Sequence, residues 1–165
     1  MSIQIRPATS VDVAMLLEIV NYSIVHTTAN YNYEPLTREH QQKWFDDKQR
    51  ADFPVIVAEV DDKVVGFATY GTFREKIGYQ FTVEHSVYVD HKHMGTGIGK
   101  LLLGELILLA QQDGYHTMIG GIDASNTSSI AFHASFGFTE CGTIKEAGFK
   151  FGRWLDLLFM QLLLK

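Results

Sequence analysis

Val87-Tyr88-Val89-Asp90-His91-Lys92-His93-Met94-Gly95-Thr96-Gly97-Ile98-Gly99-Lys100-Leu101-Leu102-Leu103 reads as a strand, a glycine-rich turn and the opening of a helix. Upstream, Thr82–Val89 alternates with period two. Downstream, Leu101–Gln112 is apolar and helix-length, and Gly114 ends it. Gly95, Gly97 and Gly99 fall at every second position, so the backbone can come close to a ligand and turn several N–H groups to one side. The positive end of the following helix adds to them. The segment therefore reads as a cradle for phosphate or pyrophosphate.

Two common nucleotide loops do not fit. A Walker A loop needs glycine where Met94 stands and Ser or Thr where Leu101 stands. A dinucleotide fingerprint needs glycine at Lys100 or, in the other register, at Leu102.

Working outward, Ser2–Arg6 alternates as a first strand. Thr9-Ser10-Val11-Asp12 has the form of a capping box. Val13, Leu16, Leu17, Val20 and Ile24 then line one helix face, and Thr37 can cap a second helix to about Arg50 with Trp44 and Phe45 inward. Pro54–Val60 and Val64–Tyr70 form a hairpin across Asp61-Asp62-Lys63. Thr72–Phe81 reads as a polar loop, Met118–Ile122 as a short buried strand, and Asn126–Phe136 as a helix stopped by Gly137. Phe138–Ile144 and Trp154–Leu164 read as strands joined by a loop, Lys145–Arg153. The order is βαα-βββ-α-β-α-ββ. It predicts an α/β fold of the α+β kind, with a mixed, mostly antiparallel sheet of about seven strands flanked by about four helices. One domain over residues 1–165 is expected, since no linker interrupts the chain.

Composition narrows the function. Fourteen basic and nineteen acidic residues leave a net charge of −5, so binding nucleic acid through phosphate neutralisation is not expected. Cys141 is the single cysteine, which excludes an internal disulfide and a multi-cysteine zinc site; its place in a strand predicts a packed thiol. No stretch reads as a signal peptide or a membrane span, so the expectation is a soluble, cytoplasmic protein without membrane contact. His91-x-His93 could hold a metal if a carboxylate converged on it.

Met94-Gly95-Thr96-Gly97-Ile98-Gly99 resembles the acetyl-CoA pyrophosphate loop of the GNAT acetyltransferases, with Met94 where that family usually has Arg or Gln. Asn126-Thr127-Ser128-Ser129-Ile130-Ala131-Phe132-His133-Ala134-Ser135-Phe136-Gly137-Phe138 resembles the family's second signature. Thr82–Val89, Tyr33-Glu34-Pro35 and Gly148-Phe149-Lys150-Phe151-Gly152-Arg153-Trp154-Leu155-Asp156 are similar to the phosphinothricin and methionine-sulfoximine N-acetyltransferases within it.

The resemblance implies acetyl transfer from acetyl-CoA, without a metal, to the amine of a small amino-acid analogue. It implies coenzyme contacts from Val87, Tyr88, Val89, Gly95, Thr96, Gly97, Ile98, Gly99, Lys100 and Asn126. An amine protonated at neutral pH must lose a proton before it attacks, and Glu84 is the implied general base. His133 stands where many members carry a tyrosine acting as general acid. Backbone N–H groups near Val89 are the implied oxyanion donors. The implied acceptor pocket draws on Tyr33, Phe73, Arg74, Glu75, Lys76, Glu84, His85 and Ser86, with Arg74 and Lys76 supplying charge for a carboxylate. A homodimer is expected from the family. A peptide, lysine or polyamine acceptor stays open, as does an acetyl-CoA sensor without catalysis. Lys150 and Arg153 are further candidates for the charge that meets the carboxylate, with holding the loop or a dimer contact as the alternative.

Overall fold

The structure, a computed structural model, describes residues 2–165. Its elements are β1 (Ile3–Pro7), α1 (Val13–His26), α2 (Arg38–Arg50), β2 (Val55–Val60), β3 (Lys63–Thr72), β4 (Thr82–Val89), α3 (Ile98–Gln112), β5 (Thr117–Asp123), α4 (Thr127–Ala134), β6 (Thr139–Lys150) and β7 (Arg153–Leu163). Seven strands form one sheet in the order β1-β2-β3-β4-β5-β7-β6. Every neighbouring pair is antiparallel except β4 and β5, as the expected mixed sheet requires.

Each face of the sheet is covered by helices. Ile98, Leu102, Leu103 and Leu106 of α3 pack on Ile56, Ala68, Val83 and Met118. On the other face Leu16, Ile19, Val20 and Ile24 of α1, with Phe45 of α2, pack on Val55, Val57 and Phe67. The chain enters α1 through the capping box. The Thr9 N–H donates to Asp12 Oδ2 at 2.8 Å, and Asp12 also takes Arg6 at 2.8 Å. The Thr37 hydroxyl accepts from the His40 N–H at 3.1 Å and opens α2.

Three expectations need correction. α3 begins at Ile98, inside the glycine turn, because Gly97 in the left-handed region (φ 88°) already acts as the helix cap. β6 does not stop at Ile144. The ladder shifts register between Ile144 and Gly148, where Glu146 has φ 51°, and resumes to Lys150. The polar, glycine-containing run Lys145–Gly148 is a bulge in a strand, and only Phe151-Gly152 forms the turn, both residues at positive φ. Cys141 is exposed, because β6 is an edge strand with neither face covered over most of its length. β7, apolar on both faces in the sequence, lies inside the sheet between β5 and β6.

β4 and β5 pair over three residues only, Thr82–Glu84 against Thr117–Ile119. Beyond Glu84 the two strands part. β4 keeps its β3 partner as far as Val89, but on the β5 side its backbone groups have no ladder. This gap positions the site.

Candidate active site

A cleft of about 570 Å³ fills the gap. One wall is Ser86–Val89, the other Gly120–Asp123; the glycine turn and the first turns of α4 close the ends. In a splayed pair of this kind, unpaired strand N–H and C=O groups face a ligand that can take the place of the missing strand.

The glycine turn is built as a cradle. Gly95 (φ 75°) and Gly97 (φ 88°) hold conformations that L side chains rarely adopt, and nothing lies within 4 Å of where a Cβ would stand at either. The open side of the turn therefore belongs to whatever binds there, with the α3 N-terminus behind it. Gly99 is different: it is helical, and a Cβ there would make ordinary contacts with Val89 and Phe132. Ile98 is buried in the core, so only its backbone can serve a ligand. The Thr96 hydroxyl is spent on the His93 carbonyl. His91 and His93 both turn Nδ1 to the Asp90 carboxylate, at 3.2 and 2.7 Å. Met94 and Lys100 are exposed at the rim.

Asn126 caps α4. Its Oδ1 accepts from the Ser129 N–H at 3.1 Å and from the Ser128 hydroxyl at 3.0 Å. Only its amide nitrogen is left to donate into the cleft. Tyr88 directs its ring away, against Phe67, and its hydroxyl accepts from Asn30 Nδ2 at 3.3 Å. Val87, Tyr88 and Val89 thus offer the cleft mainly backbone.

Glu84 sits at the apex, on the last β4–β5 pair, on the α1 side of the sheet. Its Oε2 is 3.8 Å from the position a Cβ would take on Gly121, itself a cleft residue. Glu84 is exposed to solvent, and the protein packed beside it raises its carboxyl pKa above the ordinary range by partial desolvation. Phe159 also borders Gly121, and Phe73 packs edge-on against Phe159 with centroids 6.4 Å apart. Phe73 therefore shares the Glu84 side. The Arg74 guanidinium lies 5.6 Å from the Phe73 ring centre. Glu75 and Lys76 are exposed, and neither joins a salt bridge among the described residues. Tyr33 is exposed, with its hydroxyl bonded to the Phe149 carbonyl.

His85 and His133 depart from expectation. His85 points to the opposite face from Glu84 and is buried, and it lines the cleft together with His133. Its Nε2 lies 3.0 Å from His133 Nε2, and its Nδ1 lies 3.0 Å from the Ile119 carbonyl. His133 Nδ1 in turn lies 2.7 Å from the Ser129 carbonyl. Three contacts thus link four ring nitrogens and two carbonyl oxygens. They require three protons, whereas two neutral imidazoles carry two. No nitrogen of His133 is left to face a leaving group. Burial lowers the pKa of both rings, that of His85 to about 3, with the His133 ring as a second cause.

Gly120 makes this pairing possible: a Cβ there would stand 2.8 Å from His85 Cε1. Sequence reasoning missed Gly120, Asp123 and Ser129. The Gly120-Gly121 pair inside an apolar strand was the available signal, because such glycines mark a close approach. Asp123, at the end of β5, lines the cleft, takes the Thr28 and Ser125 hydroxyls, and faces Arg153 at 3.6 Å.

Comparison with known proteins matches this architecture. A family model described as Acetyltransferase (GNAT) domain matches residues 5–159. The chain is 42% identical over 158 residues to the L-methionine sulfoximine/L-methionine sulfone acetyltransferase of Salmonella typhimurium, covering 96% of this chain and 92% of the relative. A phosphinothricin acetyltransferase from Sinorhizobium meliloti, solved in complex with AcCoA, superposes with a TM-score of 0.96 at 36% identity, covering 99% and 89% of the two chains. A ribosomal-protein-alanine N-acetyltransferase from Brucella melitensis superposes with a TM-score of 0.96 at 48% identity, covering 98% and 99%.

Proposed function

The chain belongs to the GNAT acetyltransferase family, and from that premise we propose that it moves acetyl from acetyl-CoA to the α-amine of a small amino-acid analogue. L-methionine sulfoximine, L-methionine sulfone and L-phosphinothricin are the candidate acceptors. The observation that carries this reading is the place of Glu84: a carboxylate with a raised pKa at the apex where β4 and β5 part, next to a cleft whose far end is an anion cradle.

Gly95 and Gly97 turn backbone N–H groups toward the pyrophosphate, and the open β4 edge lies along the pantetheine arm. Acetyl-CoA supplies the activated acyl group. Glu84 takes the ammonium proton, directly or through a water, and the freed amine attacks the thioester carbon. Backbone N–H groups near Val89 hold the oxyanion. As the intermediate collapses, the C–S bond breaks and the electron pair leaves on sulfur. A thiol with a pKa near 8.5 is a tolerable leaving group at neutral pH. The attacking nitrogen loses its second proton as the amide forms, and solvent can carry that proton to the thiolate, so His133, with both nitrogens engaged, acts as a structural partner of His85. Phe73 and Tyr33 wall the acceptor, and Arg74 offers charge to its carboxylate. The exposed β6 edge, with Ile144, Phe149, Phe151 and Trp154 in the open, supports a homodimer.

The similarity to a ribosomal-protein-alanine N-acetyltransferase favours a second reading, in which the acceptor is a peptide N-terminus. Release of free CoA from acetyl-CoA decides between them, assayed with L-phosphinothricin, L-methionine sulfoximine, L-methionine sulfone, plain amino acids, spermidine, a lysine peptide and an alanine-initiated peptide. Turnover confined to the first three is expected. Turnover only with peptide or polyamine overturns the acceptor assignment, and acetyl-CoA binding without any turnover makes the domain a sensor.

A further inference from the structure

We propose that Lys150 is a positioning residue for the acceptor, fastening residues 27–33 as the lip of the cleft on the Glu84 side. The proposal rests on the acyl-transfer reading above for what the lip encloses.

Lys150 ends β6, immediately before the Phe151-Gly152 turn. It is 3% exposed, and no carboxylate forms a salt bridge with it among the described residues. Its ammonium instead donates to three carbonyls: Ile24 at 2.6 Å, Thr27 at 2.8 Å and Asn30 at 2.5 Å. An ammonium has three N–H donors and no acceptor, so the three carbonyls saturate it. Ile24 is in the last turn of α1, where carbonyls lack helical partners and a cation meets the negative end of the helix. The other two belong to the segment leaving the helix.

That segment runs along the site. Ala29 lines the cleft, and Asn30 holds the Tyr88 hydroxyl. The Thr28 hydroxyl bonds Asp123. Tyr31 packs so closely on β6 that a Cβ on Gly148 would stand 2.5 Å from its ring. Gly148, Phe149 and Lys150 therefore grip the segment by a ring contact, the Tyr33 hydroxyl bond and the three-carbonyl clamp in succession. None of these contacts reaches the Gly95–Gly99 cradle. A lysine buried for stability alone would not need its three bonds shared between a helix end and a cleft-lining loop.

The test is Lys150→Met, which keeps the stem and removes the ammonium. The acceptor KM is expected to rise about tenfold or more while the acetyl-CoA KM and kcat change less than about threefold. Amide exchange at residues 27–33 is expected to quicken about tenfold, with residues 95–100 unchanged. Gly148→Ala disturbs the same segment through Tyr31 and should give the same split even if Lys150→Met fails to fold. A parallel rise in both KM values, or exchange that quickens evenly over the chain, overturns the proposal. If the wild type acetylates no amino-acid analogue, the reaction reading fails by itself, and the exchange pattern still decides the role of Lys150.

Discussion

Lowering the pH from 7 to 5 should destabilise this protein through His85. The ring is buried between β4, β5 and α4, and among the described residues His133 is the titratable side chain that shifts it. Its pKa is 6.5 in the unfolded chain and about 3 in the fold. A group whose folded pKa is depressed in this way must stay neutral to remain inside. The unfolded state begins to bind its proton as pH falls through 6.5, and the folded state does not follow until near 3. Stability is therefore lost on acidification, by about 2 kcal/mol between pH 7 and pH 5 from His85 alone. His133, shifted the same way, adds to it. Asp12 and Asp123, whose pKa values are lowered, stay ionised in both states over this window and contribute no slope. Two effects oppose the loss. Glu84, whose carboxyl pKa is raised in the fold, is protonated there ahead of the unfolded chain as pH falls. A shared proton fills the third contact of the pair, and a charged hydrogen bond is worth about 1.5–3 kcal/mol. Among the described residues no carboxylate shifts either ring, so burial is expected to win. Urea unfolding followed by tryptophan fluorescence reads this directly. At a slope of about 2 kcal/mol per molar, the midpoint should fall by about 1 M between the two pH values. His85→Gln should remove most of that difference, whatever it does to stability at pH 7. A wild-type midpoint that holds or rises on acidification, or an equal fall in the variant, would mean that the buried His85 ring does not set the acid sensitivity.

The other expectations concern single positions and assembly. Gly97→Ala forces a side chain into a left-handed cap and should cost about 1 kcal/mol or more, with acetyl-CoA affinity, measured by calorimetry, falling more than acceptor KM. His133→Gln should lower kcat less than about tenfold, below the usual 100-fold or greater cost of losing an acid; a larger loss with unchanged stability would restore His133 as the proton donor. Sedimentation at micromolar concentration should show a dimer, and Trp154→Lys should weaken it; a clean wild-type monomer removes the assembly proposal.

Much of the frame was legible because it rests on local signals. The alternation of Thr82–Val89, the glycines at 95 and 97, and the apolar run after them place β4, the cradle and α3 with no tertiary information. The capping box at Thr9 and the Thr37 cap announce α1 and α2 in the same way. What failed depends on partners distant in sequence. β6 reads as a loop beyond Ile144 because its polar residues face solvent at a sheet edge, and its strand character comes from pairing with β7. His85 looks like an acceptor residue beside Glu84, but its ring is claimed by His133, 48 residues away. Lys150 carries no local signal for a clamp that spans 120 residues or more to reach α1 and its exit. Cys141 follows the β6 error: a strand cysteine is expected to pack, and an edge strand without cover leaves it exposed.

The most direct test of the account is the pH dependence of kcat/KM for L-methionine sulfone in the wild type and in Glu84→Gln. A base must be ionised, so wild-type activity should fall as pH drops through the raised Glu84 pKa, along a limb lying above the ordinary glutamate range. Glu84→Gln should lose that limb and about 100-fold or more of the rate at neutral pH, with acetyl-CoA binding intact. A variant that keeps both the limb and the rate would contradict the assignment of Glu84 as the base.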